Sequence, residues 1–102
     1  MSMKRLAVVV KNEKVDSVIS ALREVGLDSI IYDVKSAGKE KTITKSGRGG
    51  SVSSVAQVPR KIIATIIESD RVQEISTTIK KSMGDESKGV IIVTSVDDFI
   101  PF

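Results

Sequence analysis

The sequence runs twice through the same succession of hydrophobic patterns, and this repetition strongly constrains its fold. Each half has a short run of β-branched apolar residues, then a segment with apolar residues at helical spacing, and then a second apolar run. Residues 5–10 (RLAVVV) predict a strand that is covered on both faces, because such strands are apolar without alternation. Residues 29–35 (SIIYDVK) predict a second strand. At 102 residues, the chain is long enough for one domain with one core.

Two amphipathic helices are predicted, one in each half. Their apolar residues recur at spacings of three and four, and the two stripes consist of Val15, Val18, Ile19, Leu22 and Val25, and of Val72, Ile75, Ile79 and Met83. We predict that Asn12 caps the first helix and Ser69 the second, since each side chain can accept a backbone N–H. Gly26 and Gly84 are predicted to end the helices, because glycine adopts left-handed helix termini at low cost.

The remaining strands complete an α+β fold. Residues 62–67 (IIATII) and 89–96 (GVIIVTSV) predict the third and fourth strands. This order predicts a ferredoxin-like βαββαβ sandwich over residues 1–102, with an antiparallel four-stranded sheet and two helices on one face. The strands are apolar on both faces, but the helices cover only one. Because a monomer rarely exposes so large an apolar patch, we predict an oligomer that buries the other face.

Residues 36–58 separate the two halves and break all periodicity. We predict a flexible, functional loop between the second and third strands, since structureless stretches longer than about 15 residues are uncommon in compact domains. Residues 35–61 contain seven basic side chains against the single acid Glu40, a net of +6, whereas the whole chain carries +3. The basic residues are Lys35, Lys39, Lys41, Lys45, Arg48, Arg60 and Lys61. Such a field attracts phosphates or an acidic partner surface.

The composition excludes several classes of function. The chain has no Cys and no His, which removes disulfides, thiolate and imidazole catalysis and the usual zinc sites. Only 3% of the residues are aromatic, so base stacking is not supported and nucleic-acid binding is not expected. No apolar run approaches the roughly 20 residues of a membrane span, and no signal peptide opens the chain, so we expect a cytoplasmic protein.

Several short motifs resemble those of the PII nitrogen-regulatory signalling proteins, in the same order and spacing. Residues 3–11 (MKRLAVVVK) look like the first strand of that family, and residues 21–27 (ALREVGL) are similar to its Ala-Leu-x-Glu-Val-Gly-Ile. Residues 33–41 (DVKSAGKEK) resemble its Glu-Val-Lys-Gly-Phe-Gly-Arg-Gln-Lys at the base of the long T-loop. When the alignment is continued without a gap, residues 48–49 match the family's Arg-Gly at the loop tip. Residues 58–60 then match its Leu-Pro-Lys at the end of the loop.

The resemblance implies a homotrimer that binds an adenine nucleotide (ADP, AMP or ATP) in clefts between subunits and requires no cofactor. It implies a regulator rather than an enzyme, with a T-loop that docks onto a partner such as an ammonium transporter or a regulated enzyme. Carried over by position, the effector site consists of Gly38, Lys39, Glu40, Arg60, Gly84, Ser87, Lys88 and Gly89. The partner-binding part of the loop consists of Lys41, Lys45, Arg48 and Gly49.

The chain departs from the family pattern at several of these positions. The phosphate turn of the family reads Thr-Gly-x-x-Gly-Asp-Gly-Lys, whereas residues 83–90 read MGDESKGV, with Val90 in place of the lysine. Glu40 replaces a family glutamine that helps hold magnesium and 2-oxoglutarate. We expect the carboxylate of Glu40 to repel 2-oxoglutarate, which is itself negatively charged. The chain also stops before the family's Arg-x-Arg pair, and Val52 replaces the loop-tip tyrosine. These differences favour ADP, AMP or a cyclic nucleotide over ATP with magnesium.

Two other classes share this topology. A trimeric metal-binding protein of the CutA kind is one alternative, but the chain offers only scattered carboxylates as ligands. A small hydrolase of the acylphosphatase kind is another, and it needs an arginine in a phosphate-cradling first loop with a partner asparagine. Asn12 follows the first strand, but residues 11–14 lack the glycines of that cradle.

Overall fold

The computed structural model describes residues 2–45, 51–84 and 88–102, with the backbone alone for the parts of these ranges that fall within 38–56. The element order is β1 (Met3–Val10), α1 (Val15–Glu24), β2 (Ile30–Lys45), β3 (Ser51–Glu68), α2 (Val72–Met83) and β4 (Val90–Val96). A 3₁₀ turn precedes each helix, at Asn12–Lys14 and at Ser69–Arg71. This is the predicted βαββαβ order.

The strands form one antiparallel sheet in the order β2-β3-β1-β4. The strands β1 and β3 therefore lie in the centre, as the unalternating apolar run at residues 5–10 predicts. Ala7 of β1 lies between Ala64 of β3 and Ile92 of β4. The order and the two helices confirm the ferredoxin-like arrangement.

The core lies between the helices and one face of the sheet, which we call the helix face. Nine side chains in it are almost completely buried: Leu6, Leu22, Ile63, Ile67, Ile75, Ile79, Val8, Val10 and Val18. Burying an aliphatic side chain of this size stabilises a fold by about 1.5–3 kcal/mol. Both predicted helical stripes contribute to this cluster, which confirms the periodicity.

The start of each helix differs from the prediction. Neither Asn12 nor Ser69 caps an α-helix with its side chain. Each is instead the first residue of the 3₁₀ turn that precedes the α-helix. In the first turn the Lys14 N–H donates to the Lys11 carbonyl at 3.0 Å, so local bonds replace the cap. The Ser69 hydroxyl lies 2.6 Å from that of Ser2 and joins the chain start to the second helix.

The predicted end of the first helix is confirmed. Gly26 has φ +78°, a left-handed conformation that other residues rarely adopt. Its N–H donates to the Arg23 carbonyl at 3.0 Å, and the Leu27 N–H donates to the Leu22 carbonyl at 2.9 Å. This pair of bonds is a Schellman motif, which satisfies two of the last free carbonyls of the helix.

The strands β2 and β3 extend further than the sequence pattern predicts. Their pairing continues to Lys45 opposite Ser51, with one shift of register between Ala37 and Lys41. Residues 41–45 (KTITK) and 51–56 (SVSSVA) contain β-branched types that favour extended backbone, although glycines obscure the pattern. We call residues 36–45 and 51–58 the arm.

Neither of the two described helices covers the second face of the sheet, which we call the open face. Residues that pair across antiparallel strands share a face, and their side chains alternate between faces along each strand. On this basis the open face carries Ala7, Val9, Ile30, Tyr32, Ile62, Ala64, Ile66, Val90 and Ile92. Ile30 is 62% exposed, Ile92 46% and Tyr32 41%. An apolar surface of this kind marks an interaction site.

Shortening the arm should leave the domain folded. Replacing residues 43–53 by Asn-Gly leaves Thr42 opposite Ser54 across a two-residue hairpin turn. The buried core lies elsewhere, so we expect the free energy of unfolding in urea to change by no more than about 1 kcal/mol. Ile79→Ala, which opens a cavity in the core, should cost about 2–5 kcal/mol in the same assay. An arm variant as unstable as Ile79→Ala would show that the arm is part of the folding unit.

Candidate functional site

The topology brings separate parts of the sequence to one end of the sheet. β1 ends at Val10, which lies opposite Lys61 of β3, and β4 begins at Val90 beside the same end of β1. The arm, in which β2 and β3 continue beyond the other strands, begins next to Arg60. The arm base, Arg60 and the turn before β4 therefore share one end, which we call the arm end.

Two neighbouring cations at the arm end lie on opposite faces of β3, since side chains alternate along a strand. Lys61 is on the helix face, and its Nζ lies 2.5 Å from Oδ1 of Asp33 on β2. This pair lies at the surface and contributes at most about 1 kcal/mol. Arg60 is half-buried on the open face, and no carboxylate of the described side chains pairs with it. Arg60 is therefore the candidate of the two cations for binding an anion.

Arg60 and the turn before β4 are close but belong to different strands and different faces of the sheet. β1 lies between β3 and β4, and adjacent strands are about 4.8 Å apart, so their backbones are about 10 Å apart. Arg60 also belongs to the open face, whereas the turn borders α2. A ligand that contacts both must extend across the end of β1.

The glycines on either side of this turn have different structural reasons, a positive φ at Gly84 and close packing at Gly89. Gly84 has φ +82° and ψ 167°, a region that is essentially restricted to glycine, and it ends α2 as predicted. At Gly89, a Cβ would lie 2.8 Å from Cε of Met83 and 3.2 Å from the carbonyl oxygen of Val9. Close packing against β1 thus explains Gly89 without any ligand.

A groove of about 490 Å³ runs from this turn along the space between α2 and β4. Its apolar lining comes from Val8, Met83, Val90, Ile91 and Val93. Gly84 and Gly89 lie at its arm end, and α2 contributes Gln73, Ser76 and Lys80. These three polar residues were not predicted from the sequence. Their only signal is a spacing of three and four beside the apolar stripe of the second helix.

The other predicted effector residues are only partly described. The backbone of Gly38, Lys39 and Glu40 lies where β2 shifts its register against β3. Lys88 is exposed beside Gly89. Ser87 lies outside the described residues.

The predicted partner-binding residues are likewise described only in part. Lys41 and Lys45 lie in β2, where Lys41 is opposite Val55 and Lys45 is opposite Ser51. Arg48 and Gly49 lie outside the described residues.

A second pocket, of about 550 Å³, lies at the opposite end of the sheet. It is bordered by Lys4, whose Nζ donates to the Ser95 hydroxyl at 2.9 Å, and by Asp97 and Asp98. In the described part of the chain, no three His, Cys, Asp or Glu side chains are grouped so as to hold a metal ion. None of the described helices is long and apolar enough to cross a membrane.

Comparison with known sequences gives one family. A protein-family model described as nitrogen regulatory protein P-II matches residues 3–101. A nitrogen regulatory protein P-II from Mesorhizobium japonicum is 29% identical over 101 residues, which cover 96% of this chain and 89% of that protein.

Several solved structures share this fold. GlnK of B. subtilis superimposes with a TM-score of 0.72 at 19% identity, over 95% of this chain and 87% of that one. Arabidopsis thaliana PII bound to citrate gives a TM-score of 0.74 at 20% identity, over 98% and 82%. The B. subtilis GlnK-ATP complex gives 0.71 at 19% identity, over 94% and 85%.

Gly89→Ala should destabilise the fold. The added methyl group meets Cε of Met83 and the Val9 carbonyl, so the Met83 side chain must move and Gly89 must shift slightly from β1, and we expect a loss of about 1 kcal/mol in the free energy of unfolding in urea. Lys88→Ala is the matched control, since this neighbouring side chain is exposed and its loss should cost no more than about 0.5 kcal/mol. Equal stability of the two variants would contradict the close packing of Gly89 against β1.

Proposed function

Because the chain belongs to the nitrogen regulatory protein P-II family, whose members are signalling regulators and not enzymes, we propose that it is a homotrimeric regulator that binds an adenine nucleotide between its subunits. The family assignment confirms the prediction of a regulator without catalytic activity. It assigns the chain to neither alternative class, the CutA-like metal-binding proteins nor the acylphosphatases. The trimer, the effector and the partner are parts of this proposal.

The observation that carries the proposal is the convergence at the arm end. Arg60, the base of the basic arm and the glycine turn before β4 come from distant parts of the sequence and share one end of the sheet. Arginine binds phosphate through two parallel hydrogen bonds, and exposed backbone N–H groups in a turn can hold further oxygens. The B. subtilis relative was solved with ATP and the Arabidopsis relative with citrate, both small anions.

The residues at the site favour an effector with few phosphates. Val90 stands where the family pattern has the lysine of the phosphate turn. Glu40 stands where the family pattern has the glutamine that helps hold magnesium and 2-oxoglutarate. Each lost charge-assisted contact weakens binding by about 1.5–3 kcal/mol. We therefore propose ADP or AMP as the preferred effector, with weaker binding of ATP and no response to 2-oxoglutarate.

The open face supports the homotrimer. Three copies can bury their open faces against one another, which removes exposed apolar surface from water at about 25 cal/mol per Å². The same arrangement places the arm end of each subunit beside a neighbour, so that clefts form at the seams. The basic arm, with Lys41 and Lys45, then extends toward an acidic surface of a transporter or a regulated enzyme. Arg48 and Gly49, between the two halves of the arm in the sequence, are the other predicted partner contacts.

Ile92→Glu should break the trimer. Ile92 is 46% exposed on the open face, and a carboxylate there would be buried against apolar neighbours in the assembly. We expect sedimentation velocity to change from a trimer to a single chain that keeps its circular dichroism spectrum. Thr77→Glu, on the exposed side of α2, is the control and should remain trimeric. A trimeric Ile92→Glu variant would contradict burial of the open face.

Arg60→Ala should weaken binding of the effector at least about tenfold, through loss of a charge-assisted contact. Calorimetric titration of the trimer with ADP, AMP, ATP and 2-oxoglutarate measures this change and ranks the effectors. Arg71→Ala is the matched control, because Arg71 pairs with Glu74 at the start of α2, away from the arm end, and its loss should leave the affinity unchanged.

Equal affinities of the Arg60 and Arg71 variants would remove Arg60 from the site. A wild-type trimer that binds none of these compounds would contradict the proposed function.

A further inference from the structure

The open face of the sheet carries a basic side chain among mostly apolar ones. Arg5 lies in β1, opposite Ile66 of β3 and opposite Thr94 of β4. Its side chain belongs to the open face, because side chains alternate along a strand and the next residue, Leu6, is completely buried on the helix face. Arg5 is half-buried, and the described ion pairs do not include it. The single chain therefore gives this guanidinium no carboxylate partner among the described side chains.

Arg5 lies on a central strand of the open face and not on an edge strand. β1 has β3 on one side and β4 on the other. When open faces pack against one another, side chains on the central strands are covered first, whereas those on the edge strands keep access to solvent. Burial of an unpaired charge in an apolar interface is strongly unfavourable. The proposed trimer therefore requires an acceptor for Arg5.

Glu68 is the carboxylate that the open face offers. It lies in β3 opposite Met3, two residues from Arg5 along β1, and its side chain is exposed. It follows Ala64 and Ile66 on the same face at intervals of two residues. Among the described side chains of the four strands, Glu68 is the only carboxylate on this face.

Within one chain, Arg5 and Glu68 are diagonal neighbours, with Cα atoms roughly 7–8 Å apart. Long side chains can pair over this separation if they turn toward each other. The described ion pairs contain neither residue, so the two side chains do not meet within the chain. Both charges are left for contacts with another copy of the chain.

Cyclic symmetry brings these charges together between subunits. In a trimer whose open faces surround the three-fold axis, each open face meets one neighbour with the side of β4 and the other neighbour with the side of β2. Arg5 is on the first side because it lies in β1, and Glu68 is on the second because it lies in β3. The Arg5 side of one subunit therefore meets the Glu68 side of the next, and closure of the ring repeats the contact.

We propose that Arg5 of each subunit forms an ion pair with Glu68 of a second copy of this chain, and that these pairs select which chains assemble. The proposal rests on the proposed homotrimer and deepens it, because it names the contact that selects the partner. Apolar packing accepts many surfaces, whereas a charge rejects a neighbour with a like charge at the same place. The pair lies at the end of the sheet away from the arm, so it is separate from the candidate site at the arm end.

Two variants with reversed charge test the pair. Arg5→Glu places two carboxylates on the open face of each subunit, and Glu68→Arg places two cations there. Like charges then meet at every contact, so the protein concentration at half-assembly should rise at least about tenfold for each variant. Sedimentation velocity measures this concentration. The double variant Arg5→Glu/Glu68→Arg restores opposite charges and should return to within about threefold of wild type.

Mixing the two single variants separates a pair between subunits from a pair within one chain. An equimolar mixture offers opposite charges only across subunits, so mixed trimers should form at concentrations at which neither variant assembles alone. Native mass spectrometry identifies mixed trimers by mass. Lys4→Glu and Asp70→Arg are the matched controls, because they make the same charge changes close to each position but outside the open face. Both should assemble like wild type.

The outcomes separate this pair from the function on which it rests. Trimers of Arg5→Glu and Glu68→Arg as stable as those of wild type would overturn the pair and leave the homotrimer in place. Rescue in the double variant without mixed trimers would place the pair within one chain and would also overturn it. A wild-type protein that sediments as a single chain would overturn both proposals. Because Glu68 is exposed, Glu68→Arg compared with Asp70→Arg still tests the pair if Arg5→Glu does not fold.

Discussion

Burial of the helix face of the sheet is the interaction on which the rest of the structure depends. Leu6, Val8 and Ile63 are completely buried there, and a slip of one residue in the pairing of β1 with β3 would turn the buried side chains of one of these strands to the open face. Such a slip would expose several large aliphatic side chains, at about 1.5–3 kcal/mol each. The core therefore fixes the register, and the register places Arg60 and the glycine turn at the same end of the sheet.

The sequence predicted the elements wherever one physical requirement dominates a segment. The stripe that ends at Leu22 must face the core, and Gly26 must provide a positive φ, so the first helix and its end were predicted correctly. The helix starts were not, because Asn12 is as suitable for a 3₁₀ turn as for a cap, and local hydrogen bonds decide between the two. The arm was missed for a related reason, since its strands depend on pairing between residues that are far apart in sequence.

Arg60 and the glycines of the candidate site were predicted from the sequence, but the polar side chains that α2 contributes were not. Gly84 and Gly89 stand out in the sequence because a turn between a helix and a strand needs unusual backbone geometry or close packing, and the structure contains both. The row of Gln73, Ser76 and Lys80 has no such signal. Polar residues on one side of an amphipathic helix are typical of a solvated surface. Only the position of β4, which the sheet order sets across the molecule from β2, turns that surface into the wall of a groove.

Because side chains alternate between the faces of β3, the adjacent cations Arg60 and Lys61 have different surroundings. Lys61 is held by Asp33 on the helix face, whereas Arg60 lies on the open face that we propose to be buried in a trimer. A nucleotide that contacts Arg60 of one subunit and the groove of another would bind only the assembled form. Ligand binding to one form of an equilibrium stabilises that form by mass action. Assembly and effector binding would then be coupled through the open face, and the arms at the seams would respond to the occupancy of the clefts beneath them.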